Sequence, residues 1–172
     1  MTFLFLGVLL AALLVTDASA EPPMGFAQFP WGTSARVVRD EPLAKRCRST
    51  SESRRGWYSV QCNDYQAEGL SVPALRLDFE PDDSLAGYSM SLARGSFRSF
   101  RDLSVQRFGA PQSQRRLPWR GAVLSWRSDN VTATLTEDCG PDRSCMEVTT
   151  RALDRRRQEF IDRQRHDASQ SF

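Results

Sequence analysis

The chain has 172 residues, with 23 Lys and Arg against 21 Asp and Glu, a single His and a formal net charge of +2. Bases and acids are interleaved, so the chain lacks the extended basic face that nucleic-acid binding requires, and that class is set aside. Length and a 40% apolar content suit one domain with a substantial core.

Residues 3–15 form an unbroken apolar run, and Ala18-Ser19-Ala20 follows it. The run falls short of the roughly 20 residues a membrane-spanning helix needs. It matches the apolar region of a secretory signal with small residues at the cleavage site. Residues 1–20 are therefore expected to be a signal peptide, although no Lys or Arg precedes the run. No Cys follows it at once, which sets a lipid anchor aside. Cleavage leaves one expected α+β domain over residues 21–150 and a charged helix or tail over residues 151–172, with no transmembrane segment. The mature part holds 23 bases against 20 acids, and Lys45 is the only lysine among them. That arginine bias reads as high-GC bacterial codon usage, so the expected location is the periplasm or outside a bacterial cell.

Phe26, Phe29 and Trp31 crowd the start of the mature chain. They are read either as core rings under the first helix or as an exposed aromatic patch that anchors a partner. Thr33 or Ser34 can cap a helix beginning at Ala35, with Val37 and Val38 facing inward. Pro42 limits that helix or forces a second start at Asp40. Residues 48–55 read as a polar loop, and residues 57–65 as a strand.

The four cysteines, Cys47, Cys62, Cys139 and Cys145, fit an oxidising compartment. Of the three pairings they allow, sequence proximity favours Cys47 with Cys62 and Cys139 with Cys145. The second pair brackets Gly140-Pro141-Asp142-Arg143-Ser144, a turn between two strand-like runs. Metal or redox chemistry is not expected, because there is no C-x-x-C and the one His, His166, sits in the charged tail.

Residues 72–111 give the fullest pattern. Leu75, Leu77 and Phe79 alternate with Arg76, Asp78 and Glu80, the mark of a strand with one buried face. Pro81-Asp82-Asp83-Ser84 is turn chemistry, and Tyr88, Met90 and Leu92 resume the alternation, so a hairpin is predicted. Ser96 is placed as the cap of a helix that buries Phe97, Phe100 and Phe108. Leu103 falls at the margin of that face, and Arg98, Asp102 and Gln106 point away. Gly109 and Pro111 stop the helix.

Residues 112–116 read as a second polar loop. Residues 122–126, 131–135 and 146–150 read as strands, the first two joined by a turn at Arg127-Ser128-Asp129-Asn130. Helix, strands, helix, strands is the order expected of a helix-plus-strands unit occurring twice. The fold class predicted is therefore α+β, a two-layer sandwich of mainly antiparallel sheet with helices on one face. In the tail, Leu153, Phe160 and Ile161 share one helical face, and Arg155, Arg156, Arg157, Arg163 and Arg165 dominate the rest. Acids among those arginines favour a solvated helix docking lightly on the sheet over a membrane-surface helix.

Phe29-Pro30-Trp31-Gly32-Thr33-Ser34, Phe79 before a turn, Phe108-Gly109-Ala110-Pro111 and a Trp-bearing strand (Trp119 or Trp126) occur in this order. The chain resembles, over residues 26–150, small exported bacterial proteins of uncharacterised families with a Trp-Gly-Thr/Ser helix opener. The resemblance implies a two-layer domain similar in element order to β-lactamase-inhibitor-like and outer-membrane-assembly-lipoprotein-like folds. Pro42 and the lack of a lipid-attachment Cys depart from the lipoprotein pattern. It carries over no catalytic residues.

No G-x-S-x-G, phosphate loop or H-E-x-x-H occurs, and a His-based nucleophile pair is not expected from His166. The acid pairs Asp78/Glu80 and Asp82/Asp83 read as solvated surface, which leaves carboxylate-dependent hydrolysis as the enzymatic alternative. The sequence thus points to a non-catalytic chain without cofactor or metal, a binding module for another envelope protein. The alternative is a binder of anionic envelope components through its Arg-rich tail. Asn130-Val131-Thr132 is a glycosylation triplet of no consequence in a bacterium.

Overall fold

The computed structural model of the chain describes residues 25–27, 29–40, 47–50, 57–67 and 70–169. The expected signal peptide, the reach of the first helix past Asp40 and most of the polar loop at 48–55 lie outside these residues.

A short hairpin, β1 (Gly25–Phe26) and β2 (Phe29–Pro30), leads into α1 (Ala35–Asp40). Four strands follow: β3 (Cys47–Thr50), β4 (Tyr58–Ala67), β5 (Leu70–Phe79) and β6 (Leu85–Ala93). Helix α2 (Phe97–Phe108) then leads to β7 (Ser113–Leu117), β8 (Gly121–Arg127), β9 (Val131–Gly140) and β10 (Arg143–Thr150), and α3 (Arg151–Ser169) closes the chain. Strands β3 to β10 make one antiparallel sheet in the order β3-β4-β5-β6-β10-β9-β8-β7. The molecule is a mixed α+β protein dominated by its sheet.

Period-two alternation builds the core. Directly opposed residues of antiparallel strands share a face, so Cys62, Leu75, Met90, Met146, Leu135 and Leu124 fall in one row across the sheet. Val60, Leu77, Tyr88, Val148, Ala133 and Trp126 make the next row, and every member of both rows is buried. Phe97, Phe100 and Phe108 of α2 join this core, with Phe108 edge-on to Trp126 at 5.9 Å between ring centroids. The Trp126 indole, which must find an acceptor once buried, donates Nε1–H to the Gly109 carbonyl at 2.9 Å. Gly109 itself sits at φ 73°, so the expected glycine stop is the one used.

Five local expectations are corrected. Val38 is buried but Val37 is 52% exposed, because the helical repeat puts Ala35 and Val38, three apart, on the inward side of α1. Ser96 lies in a 3-10 turn (Arg94–Ser96) in αR geometry and makes no side-chain cap. Residues 113–116, read as part of the polar loop 112–116, pair together with Leu117 against β8 as an edge strand. The Gln112 side chain extends that ladder, donating to the Arg127 carbonyl at 3.1 Å and accepting from its N–H at 2.7 Å. Residues 47–50 likewise pair with β4. An edge strand needs only one ladder and tolerates polar side chains on both faces, so neither shows the period that marks a buried strand. Finally, the helices do not share one face. Leu153 of α3, fully buried, packs against Gly87 and Thr149 on the side of the sheet opposite α2.

The cysteines pair as proximity suggested, Cys47 with Cys62 and Cys139 with Cys145, at Cα–Cα separations of 4.0 and 5.9 Å. No helix of the described residues is long and apolar enough to cross a membrane.

Candidate functional site on the open face of the sheet

The alternation that buries one face leaves a polar one behind it. Gln61, Arg76, Ser89, Glu147, Thr134, Ser125 and Ser113 stand in register across seven strands, each at least partly exposed. The flanking row runs Asn63, Ala74, Ser91, Cys145, Thr136, Val123 and Arg115, with Thr136 and Val123 buried. On β9 the sequence Val131-Thr132-Ala133-Thr134-Leu135-Thr136 makes both faces at once, aliphatic inward and Thr outward. β-branched side chains favour the pleated surface, and the short hydroxyls have little rotamer freedom to lose.

Helix α3 covers one end of this face. Thr150 caps it, its Oγ1 accepting from the Leu153 N–H at 3.3 Å, and Thr149 donates Oγ1–H to Asp154 at 2.7 Å. Beneath the helix Asp78 is fully buried. It accepts from Ser59 Oγ at 2.5 Å, from Arg76 Nε and from Arg157 Nη2 at 2.7 Å. Arg157 also reaches Glu147 with Nη1 at 2.8 Å and lies 5.9 Å over the Trp57 ring, which meets Phe160 edge-on. Next along the helix, Arg156 pairs with Glu80 at 2.5 Å, and Glu80 is only 8% exposed. The reading of Asp78 and Glu80 as solvated surface is thus corrected. Local alternation places them on the polar side, and a helix from the far end of the chain buries them.

The other acid pair stays on the surface. Asp82 accepts from the Ser84 hydroxyl and N–H, and these bonds hold its carboxyl below the ordinary carboxylate range. Asp83 accepts from the Tyr58 hydroxyl at 2.6 Å. On the core face, burial pushes the Tyr88 hydroxyl far above its usual 10.0, with Tyr65 adding to the effect.

Phe26 and Phe29 are each 4% exposed, and Phe26 packs on Tyr88 at 4.9 Å. Trp31 is half-buried and stacks on Tyr88 at 6.1 Å. Of the two readings the core one fits Phe26 and Phe29, which have almost no surface left to offer, while Trp31 packs against the core and stays partly exposed. Cys145 lies on the open face, whereas the Cys47–Cys62 bond lies on the core side at the β3 edge. Among the described residues no three His, Cys, Asp or Glu side chains gather as a metal-ligand set. Glu147 escaped notice in the sequence as one charge in a short strand, and Arg157 is legible there only as one cation of the tail, not as the partner of Asp78.

No protein-family model, no curated protein and no solved structure matches this chain.

Proposed function

We propose that this chain is an exported, non-catalytic protein-interaction module of a bacterial envelope that presents the open sheet face to a partner. The carrying observation is the in-register row from Gln61 to Ser113, polar and accessible across seven strands. A face of short hydroxyls and amides with one Arg and one Glu at its centre offers directional hydrogen bonds at low entropic cost. Carboxylate-based hydrolysis gains little support, since Asp78 and Glu80 are both engaged by arginines under α3. Residues 1–20 and the two disulfides support an oxidising extracytoplasmic location.

The sheet also supports a duplicated unit, α1 with β3 to β6 and α2 with β7 to β10. In the order β3-β4-β5-β6-β10-β9-β8-β7 the last strands of the two units meet at the centre. On this reading α1 and α2 form the second layer of a two-layer sandwich, and α3 is an addition on the opposite side. Binding of anionic envelope material through the tail is the weaker reading, because Arg156 and Arg157 point into the protein.

The test is photocrosslinking in the native envelope, with a crosslinkable residue placed singly at Ser89, Ser125 and Thr134, and at Arg98 on α2 as control. One recurrent protein adduct from the three sheet positions, absent at Arg98, is expected. Equal capture from Arg98, or adducts only with lipid or wall material, contradicts the reading.

A further inference from the structure

We propose that the outer edge of β7, with Trp119 and Arg120 in the turn beyond it, docks an extended acidic segment of another protein, which joins the sheet as an added strand.

Among the described residues, strand β7 is last in the sheet and has β8 as its only neighbour. Every second residue of an edge strand turns its N–H and C=O away from the sheet, a template for another strand. Among the described residues, nothing outside the β7–β8 ladder hydrogen-bonds to residues 113–116. The edge is open.

Its side chains say what strand it fits. Arg115 opposes Val123 on the open face, and Arg116 opposes Ala122 on the α2 side, so the two cations flank the edge from both faces. Both are exposed, as is Arg120, and none of the three forms an ion pair among the described residues. By contrast Arg76, Arg94, Arg101, Arg156, Arg157 and Arg165 each meet a carboxylate. The acids beside the turn are engaged elsewhere: Glu137 accepts from the Ala122 N–H, and Asp138 pairs with Arg94. Trp119 is 76% exposed, the most exposed large apolar side chain described.

An added strand sets one residue opposite each β7 residue on the same face. Arg115 and Arg116 therefore ask for two adjacent acids, one per face, and Trp119 for an apolar or aromatic side chain further along. A second copy pairing through its own β7 brings arginine against arginine and is disfavoured. A lipid surface or nucleic acid needs its cations on one face, whereas these bracket a strand-wide gap.

The test uses the folded, oxidised chain and fluorescein-labelled decapeptides of alternating Thr and Val, carrying an Asp-Glu doublet at each register and a terminal Phe. At least one register is expected to bind saturably by anisotropy and to slow deuterium exchange at residues 113–117. R115Q/R116Q is expected to weaken binding at least about tenfold. Methylation of alternate backbone nitrogens of the peptide, which keeps its charge but removes its donors, is expected to do the same. Trp119→Ala is expected to weaken it several-fold, with an unchanged thermal melt showing that each variant folds. Failure of every register to bind overturns the proposal. So does equal binding of the methylated peptide, or capture of phosphatidylglycerol vesicles by the same arginines when no peptide binds.

Discussion

Arg157 and Asp78 stand 79 residues apart in the chain and meet at 2.7 Å, where the Asp78 side chain is 1% exposed. This pair fixes α3 across the end of the open face, and so sets how much of that face remains available. Breaking a buried ion pair from one side costs about 3–5 kcal/mol when the remaining charge is left uncompensated. Here Ser59 and Arg76 still hold Asp78, so Arg157→Met is expected to cost about 2 kcal/mol. Asp78→Ala strands three donors and is expected to cost about 3 kcal/mol. Glu147→Gln, at a half-exposed acid, is expected to cost under about 1 kcal/mol. Urea unfolding followed by tryptophan fluorescence gives the order, and a Glu147 variant as damaging as the Arg157 one contradicts it.

The same helix is seated by Leu153 on Gly87. A Cβ at position 87 meets Leu153 Cδ2 at 2.7 Å and the Val148 carbonyl oxygen at 3.1 Å. Gly87→Ala is therefore expected to cost about 1–3 kcal/mol by overpacking, and Leu153→Ala about 2–5 kcal/mol by opening a cavity. Because the new methyl enters the space that Leu153 vacates, the double variant is expected to be clearly less destabilised than the sum. Strict additivity in a double-mutant cycle contradicts this packing.

The two disulfides close loops of different length, with separations of 15 and 6 residues. On the chain-entropy account a loop of about 15 residues contributes about 3 kcal/mol, and a shorter loop less. Replacing Cys47 and Cys62 together by Ser is expected to lower Tm more than replacing Cys139 and Cys145. Equal losses in thermal melts, or the reverse order, count against this.

Alkaline stability reports on Tyr88. Its hydroxyl keeps its proton in the folded chain at pH values where the unfolded chain, with the usual value of 10.0, gives it up. The unfolded state then binds fewer protons, so stability falls as pH rises. The contribution is complete below about 10 and is lost as pH climbs from there toward the raised folded value. Tyr88→Phe is expected to flatten the fall in stability between about pH 9 and 11. An unchanged slope relative to the parent sinks the assignment.

What the sequence made legible was whatever rests on local periodicity. Leu75, Leu77 and Phe79, then Tyr88, Met90 and Leu92, mark two buried strands, and Phe97, Phe100 and Phe108 mark one helix face, without knowledge of their partners. The turn between Cys139 and Cys145 made that pairing readable too. The burial of Asp78 was not legible, since its period is that of a solvent-facing residue and the helix above it arrives from the other end of the chain. Nor was β7, whose Ser-Gln-Arg-Arg-Leu has no apolar alternation and becomes a strand only through its pairing with β8. The open face was half visible: alternation foretells polar residues behind a core, but only the register aligns Gln61, Ser89, Thr134 and Ser113 into one row.

The most direct test of the account is to block that row without touching the core. Ser89→Arg and Thr134→Arg together, checked by thermal melt for an intact fold, are compared with the parent for retention of the partner crosslinked from Ser125 in the native envelope. The account predicts that the adduct disappears, while Arg98→Glu on α2 leaves it in place. An adduct that persists in the blocked variant at parental yield means that the open face is not the binding surface.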